Sequence, residues 1–336
     1  MPTHANDSEL PPPPLVAPQL GPFEQPHLNP APEGVDARFA WGLPGGRGQN
    51  VDLIDIEQGW VFDHLDLRGR QISLVSGVDA DFRGHGTAVL GIIAAVDNNM
   101  GVIGIAPEIG SLRTVSQWRA KNDLSTVRAI EAAVDALTPG GVLLLEAQTA
   151  LRGVGGGLPP EAEPGVLTAI QSAVAHGITV VEAAGDGGLD LRVVRQKAWG
   201  HFLDPGSPDF RDSGAILVGA ATAGSPHSRI AGSTYGRRID CYAWGEQVVT
   251  TGDGFQGEEI DDFTDTFGGT SAAAAIVAGV AVVVQGIAKT RLGRPLEPAE
   301  LRDLLRDPAN GTPSASPDDF IGAMPDLQKI IAKIPN

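Results

Sequence analysis

The sequence predicts an α/β protein built on a mostly parallel sheet with helices on both faces, and three observations predict it. Apolar runs of strand length, rich in β-branched residues, recur along the chain. Segments with apolar residues at helical spacing lie between them. Glycine-rich turns, drawn from 44 Gly in 336 residues, separate the two kinds of segment. A hydrophobic share of 42% supplies a sizeable core and argues against wholesale disorder. The chain is long for one domain, yet α/β folds of this size often form a single unit.

Taken in order, residues 1–35 are dominated by proline, including Pro11 to Pro14, and read as an extended arm. Strands buried on both faces are expected at VDLIDI (51–56), GVLLLEA (141–147), GITVVEAA (177–184) and AILVGAA (215–221). Helices are expected at LSTVRAIEAAVDAL (124–137) and at PGVLTAIQSAVAHG (164–177), which opens on Pro164 and stops at Gly177. Two more helical segments, 297–306 and 326–333, finish the chain. Strand and helix alternating in this way give right-handed crossovers and parallel neighbours.

A formal net charge of -17 argues against nucleic acid as a partner, because phosphate backbones need clustered Lys and Arg. With one cysteine, Cys241, no intrachain disulfide can form, and a packed strand thiol is the plainer reading of it. The first twenty residues lack a positive segment followed by an apolar one, and no later stretch reads as a bilayer span. These features favour a cytoplasmic setting without a membrane partner, with secretion as the alternative.

Three motifs carry chemistry. VDLIDIEQGW places Asp55 at the end of an apolar run, where open α/β sheets collect function. GHGTAVLGIIAAV (84–96) frees His85 between glycines at the start of a helix. FGGTSAAAAIVAGVAVVVQG (267–286) sets Ser271 after Gly268 and Gly269 at the entry to a long small-residue helix, where backbone amides gather. Singly, each has an ordinary structural explanation: a strand terminus, a solvated histidine, a helix cap. Together they stand in the order Asp, His, Ser, which is the order known for subtilisin itself.

The chain thus resembles the subtilisin-like serine protease family, the subtilases of peptidase family S8. The resemblance spans roughly 36–290 and includes DHLDL (63–67), NNMGVIGIAP (98–107), AAGDGG (183–188) and RIDCYAWG (238–245). It implies a three-layer subtilisin-like catalytic domain over 36–336, with 1–35 as an arm or short propeptide. It also implies that Ser271 attacks the carbonyl carbon, that His85 takes and returns the proton, and that Asp55 orients the ring.

The sequence departs from the family at several places. Asp186 stands where most subtilases carry an asparagine that donates to the oxyanion, a donor worth about 10²–10³-fold in turnover in subtilisin. Aspartate does occupy this place in a neuroendocrine proprotein convertase and in the acid-acting sedolisins. Asp186 can help if protonated, which needs burial or a negative neighbour such as Glu146 or Glu182. Ala275 replaces the usual proline four residues after the serine, and EAQ (146–148) replaces the usual Ser-Leu-Gly run. Leu145, Glu146, Ala147 and Gln148, with Val115 to Trp118, are expected to bind an extended peptide by strand addition.

Family calcium-ligand positions match Asp66 and Asn98 with the carbonyls of Val96, Met100 and Val102; the same residues are equally an ordinary Asp97-Asn98-Asn99 turn. Intracellular subtilisins are similar in being acidic and short-armed, which makes segment 22–34 a candidate block across the cleft, with a plain tail as the alternative. The leading function is a serine endopeptidase working through an acyl-enzyme on Ser271. The alternatives are a catalytically weak peptide-binding pseudoprotease and a subtilase domain that transfers acyl groups or cyclises peptides.

Overall fold

A computed structural model describes residues 21–336. In chain order its elements are α1 (Ala37–Trp41), β1 (Asp52–Glu57), β2 (Ser73–Ser76), α2 (Arg83–Ala94) and β3 (Ser111–Ser116). The hairpin β4 (Trp118–Ala120) and β5 (Asp123–Leu124) follows, then α3 (Thr126–Ala136) and β6 (Val142–Leu145). Next come the hairpin β7 (Thr149–Leu151) and β8 (Gly155–Leu158), α4 (Pro164–Ala175), β9 (Thr179–Ala183), β10 (Ile216–Ala221) and β11 (Cys241–Trp244). The hairpin β12 (Val248–Thr251) and β13 (Phe263–Phe267) leads into α5 (Gly269–Leu292), and α6 (Pro298–Arg306), β14 (Gly311–Pro313), β15 (Ala323–Pro325) and α7 (Leu327–Ile331) complete the chain.

Nine strands form one sheet in the order β14-β15-β11-β10-β9-β6-β1-β3-β2. Every neighbouring pair in it is parallel except β14 and β15. The expected three-layer α/β architecture is therefore present. Alternation along β1 sorts its side chains: Ile54 and Ile56 join the core under α3 and α4, whereas Leu53 joins the larger core that holds α2 and α5. Asp55 and Glu57 share the face of Leu53. Helix α3 is capped by Ser125, whose side chain accepts the Arg128 amide, and α4 opens on Pro164 as its spacing predicts.

Two expectations change. Gly269–Leu292 is long and apolar enough to cross a bilayer, contrary to the reading that no stretch is, but its apolar window is wholly buried between the sheet and α2. Ala and Gly along it permit that close packing. Residues 1–20 of the arm lie outside the described residues, while 21–35 is part of the body: Leu28 and Val35 are fully buried in the main core. Phe23 donates to the Gly101 carbonyl and packs edge-on against Phe263, and Trp244 donates to the Glu33 carbonyl.

Candidate active site

Strand β1 delivers two carboxyls to one face, and they differ in what they meet. Asp55 is fully buried, its Oδ2 accepting from Trp60 Nε1 at 2.8 Å while Oδ1 has no partner among the described residues. Glu57 is the last residue of the strand, paired in register with Ser116, so its longer side chain emerges where the sheet ends. Glu57 Oε1 accepts the hydrogen carried by His85 Nδ1 at 2.5 Å, which leaves Nε2 as the free nitrogen of the ring. The acid expected beside His85 was Asp55; the structure puts Glu57 there instead. The strand extends one residue beyond the apolar run, and alternation makes the two acids equivalent in facing but not in reach.

His85 stands in the first turn of α2, whose entry residue Phe82 has φ 51 and whose His85 amide donates to the Phe255 carbonyl. Its flanking glycine is a packing requirement: a Cβ on Gly86 would fall 2.3 Å from the Gly59 carbonyl oxygen. About a quarter of the imidazole surface stays open, with Phe267 edge-on to the ring. Burial lowers the His85 pKa, but the Glu57 charge and hydrogen bond, helped by Asp186, outweigh it and raise the pKa above 6.5.

Ser271 is the third residue of α5 and is 8% exposed. Gly269, at φ +75, lets the chain turn beside Asp186, and a Cβ there would stand 3.1 Å from the Asp186 carboxyl. In the first turn the Gly269 amide donates to the Gly245 carbonyl and the Thr270 amide to Asp186 Oδ1 at 2.8 Å. Gln148 and Asp186 form a reciprocal pair: Gln148 Nε2 donates to Asp186 Oδ2, and the Asp186 amide donates to Gln148 Oε1, each at 3.1 Å. Both Asp186 oxygens are thus acceptors already in use. The side chain is exposed, so of the two conditions expected to keep it protonated, burial or a negative neighbour, burial is missing.

Glu146 follows β6 and is 6% exposed, with neither carboxyl oxygen in a hydrogen bond among the described residues. Burial raises its pKa well above the ordinary carboxylate range, and the Glu57 and Asp55 charges push the same way. The nearby Ser271 hydroxyl offsets part of this without reaching full hydrogen-bond geometry. Asp55 is raised for the same two reasons, burial first and Glu57 second. Glu182, expected near Asp186, instead accepts the Glu161 amide in a separate buried cluster.

Two cavities meet at the reactive groups. One of about 510 Å³ is lined by Glu57, His85, Gln117, Glu146, Gln148 and Ser271 among others. The second, of about 340 Å³, contains His85, Gln148, Asp186, Asp253 and Ser271. No hydrogen bond joins Ser271 Oγ to His85 among the described residues, although both groups border both cavities; catalytic hydrogen bonds commonly tighten only when substrate is present. No Lys or Arg lines either space.

Of the expected peptide-binding residues, Glu146, Ala147 and Gln148 line the larger cavity, but the Leu145 side chain is buried in the core under α3 and α4. The edge expected at Val115 to Trp118 is already paired. The Gln117 amide donates to Glu57 and its carbonyl accepts from Ser125, while the Trp118 carbonyl accepts from Val78. Segment 22–34 makes its contacts on Gly101, Ile103, Phe263, His227 and Trp244, none of which borders the two cavities.

The loop expected to hold calcium closes on itself. Asp66 Oδ1 accepts from Asn98 Nδ2 at 3.0 Å and Oδ2 from the Val102 amide at 2.7 Å, while Asn98 Oδ1 accepts the Met100 amide. The Val96 amide donates to the Asp66 carbonyl. Donors therefore hold the three side-chain oxygens of the expected set, and the Asn98 amide donates to the Val96 carbonyl, so the closed loop offers an ion no free carboxylate oxygen.

The subtilase family model, peptidase S8, matches residues 76–323. The chain belongs to the subtilase family. The match contains His85, Asp186 and Ser271 but begins after β1, so it leaves open which acid on that strand serves the histidine. Among relatives of this subtilase, subtilisin DY of Bacillus licheniformis is 31% identical over 243 residues, covering 71% of this chain and 78% of that protein. The intracellular serine protease of Paenibacillus polymyxa is 30% identical over 297 residues, covering 83% and 80%. Among solved structures, the proteases of Pseudoalteromonas arctica PAMC 21717 align with a TM-score of 0.64 at 20% identity, covering 89% of this chain and 94% of that one. A cold-adapted subtilisin-like serine proteinase aligns at 0.58 and 19%, covering 84% and 89%. These two show the fold, and family membership makes a peptide or protein the class of substrate.

Proposed function

We propose that this subtilase is a serine endopeptidase whose working residues are Glu57, His85 and Ser271. The observation that carries the reading is the Glu57–His85 hydrogen bond, made by a histidine that borders the same two cavities as the serine. Ser271 Oγ attacks the scissile carbonyl as His85 Nε2 takes its proton. The same nitrogen then protonates the leaving amine, and Glu57 holds the ring and stabilises the imidazolium. Water repeats the sequence on the acyl-enzyme. Asp186 belongs to the anion-stabilising side of the site. The name of the Paenibacillus polymyxa relative supports an intracellular setting for the same activity.

A fluorophosphonate probe tests this directly, because it reacts only with a serine that a base activates. The expected result is covalent labelling of the wild-type chain and none of Ser271→Ala. An unlabelled, folded wild-type chain would instead support the peptide-binding pseudoprotease, a reading motivated by the absent Ser271–His85 hydrogen bond and the acceptor role of Asp186.

A further inference from the structure

The Gln148 side chain makes contacts that neither the proposed reaction nor the family match accounts for. A negative charge develops on the substrate carbonyl oxygen when Ser271 attacks, and stabilising it takes N–H donors fixed in advance. Asp186 supplies none, since both its oxygens already accept hydrogen bonds. Of the residues lining the smaller cavity, Gln148 is the one side-chain amide, and it borders the larger cavity as well. Its orientation is fixed at both ends: Oε1 accepts the Asp186 amide and one Nε2 hydrogen goes to Asp186 Oδ2. The other Nε2 hydrogen has no partner among the described residues, beside a carboxyl that sits against the first turn of α5. The Ser271 backbone amide in that turn likewise has no partner outside its helix.

We propose that Gln148 is the side-chain oxyanion donor of this enzyme, with Asp186 as the positioning residue that holds its amide. The inference rests on the acyl-enzyme reading above and adds the source of the missing donor. The Asp186 oxygen turned to Gln148 is an acceptor, and the amide it holds borders the same cavity as Ser271. A carboxylate that would repel the developing charge thereby becomes the anchor for the group that attracts it.

The test measures kcat and KM on a chromogenic peptide amide for the full chain, Gln148→Ala, Asp186→Asn and the double variant, with melting temperature as the folding control. Gln148→Ala is expected to lower kcat by about 10²–10³-fold, with KM moving by less than about threefold, because the donor acts in the transition state. Asp186→Asn removes the acceptor that anchors the Gln148 amide and puts an amide in its place. In the Gln148→Ala background it restores at least about tenfold, because the new amide donates in its own right. A Gln148→Ala enzyme within about threefold of an active wild type, or a double variant no faster than Gln148→Ala, overturns the proposal while leaving the endopeptidase reading intact. An inactive wild type removes both.

Discussion

Glu146 is an enclosed acid next to Ser271, and its oxygens have no hydrogen-bond partner among the described residues. Its pKa is raised well above 4.5 by burial, then by Glu57 and Asp55, with Asp186 adding to them and Ser271 opposing. That shift favours the protonated form, and losing that proton would put a negative charge beside Ser271. His85, also raised, must lose its proton before it can act as a base. The profile of kcat/KM against pH is therefore bell-shaped: the acid limb belongs to the imidazole and lies above 6.5, and the alkaline limb belongs to Glu146. Glu146→Gln is expected to abolish the alkaline limb while keeping the rate at the optimum within about threefold. Stability follows the same linkage. A raised folded-state pKa gives a contribution that is full below about 4.5 and is lost as pH rises toward the folded value, so Glu146→Gln should lessen the fall of Tm on the alkaline side. An unchanged alkaline limb in that variant would remove Glu146 from the account.

Between elements, a buried ionic cluster fastens the late strands. Arg238 is fully buried and donates to Glu161 at 2.8 Å and Asp240 at 2.9 Å; Arg302 of α6 joins through Asp240 and Asp212. Burial opposes the Arg238 charge, but the two carboxylates more than offset it and its pKa is raised. Removing the guanidinium strands Glu161 in the core and leaves Asp240 to Arg302 alone. Arg238→Ala is expected to cost about 3–5 kcal/mol in urea unfolding. A loss under about 1 kcal/mol would show that the acids relax into solvent.

No periodicity announces this cluster, because its members come from separate loops and strand ends. By contrast, every strand read from an apolar run and every helix read from spacing is present within a few residues, since burial on both sides of a parallel sheet leaves a continuous apolar trace. Strand β1 shows the limit of that trace. The apolar run stops at Ile56, but β1 continues through Glu57, and one residue of strand end decides which acid meets the histidine. A rule that favours carboxylates at strand termini selects Glu57 once that end is known.

Across the whole molecule, three segments far apart in sequence converge on one pair of cavities: β1 ends at the cleft, α2 brings its first turn, and α5 runs from the cleft through the core. The motif order brought His85 and Ser271 forward as candidates and the family resemblance added Asp186, and all three border the smaller cavity. The Gln148–Asp186 pair and the closed Asp66 loop were not legible, because hydrogen bonds between side chains on different loops leave no pattern in spacing. Nor does composition alone separate a buried core helix from a bilayer span; α5 passes both tests, and its packing decides.

The convergence rests on the acid that holds His85, and turnover of Glu57→Gln compared with Asp55→Asn tests it most directly. Glu57→Gln is expected to lose about 10³–10⁴-fold in kcat, the scale known for losing the acid of such a triad, with the acid limb moving to lower pH. Asp55→Asn should stay within about tenfold of wild type, since Asp55 touches Trp60 and not the imidazole. The reverse ranking, with Asp55→Asn crippled and Glu57→Gln active, would contradict the account.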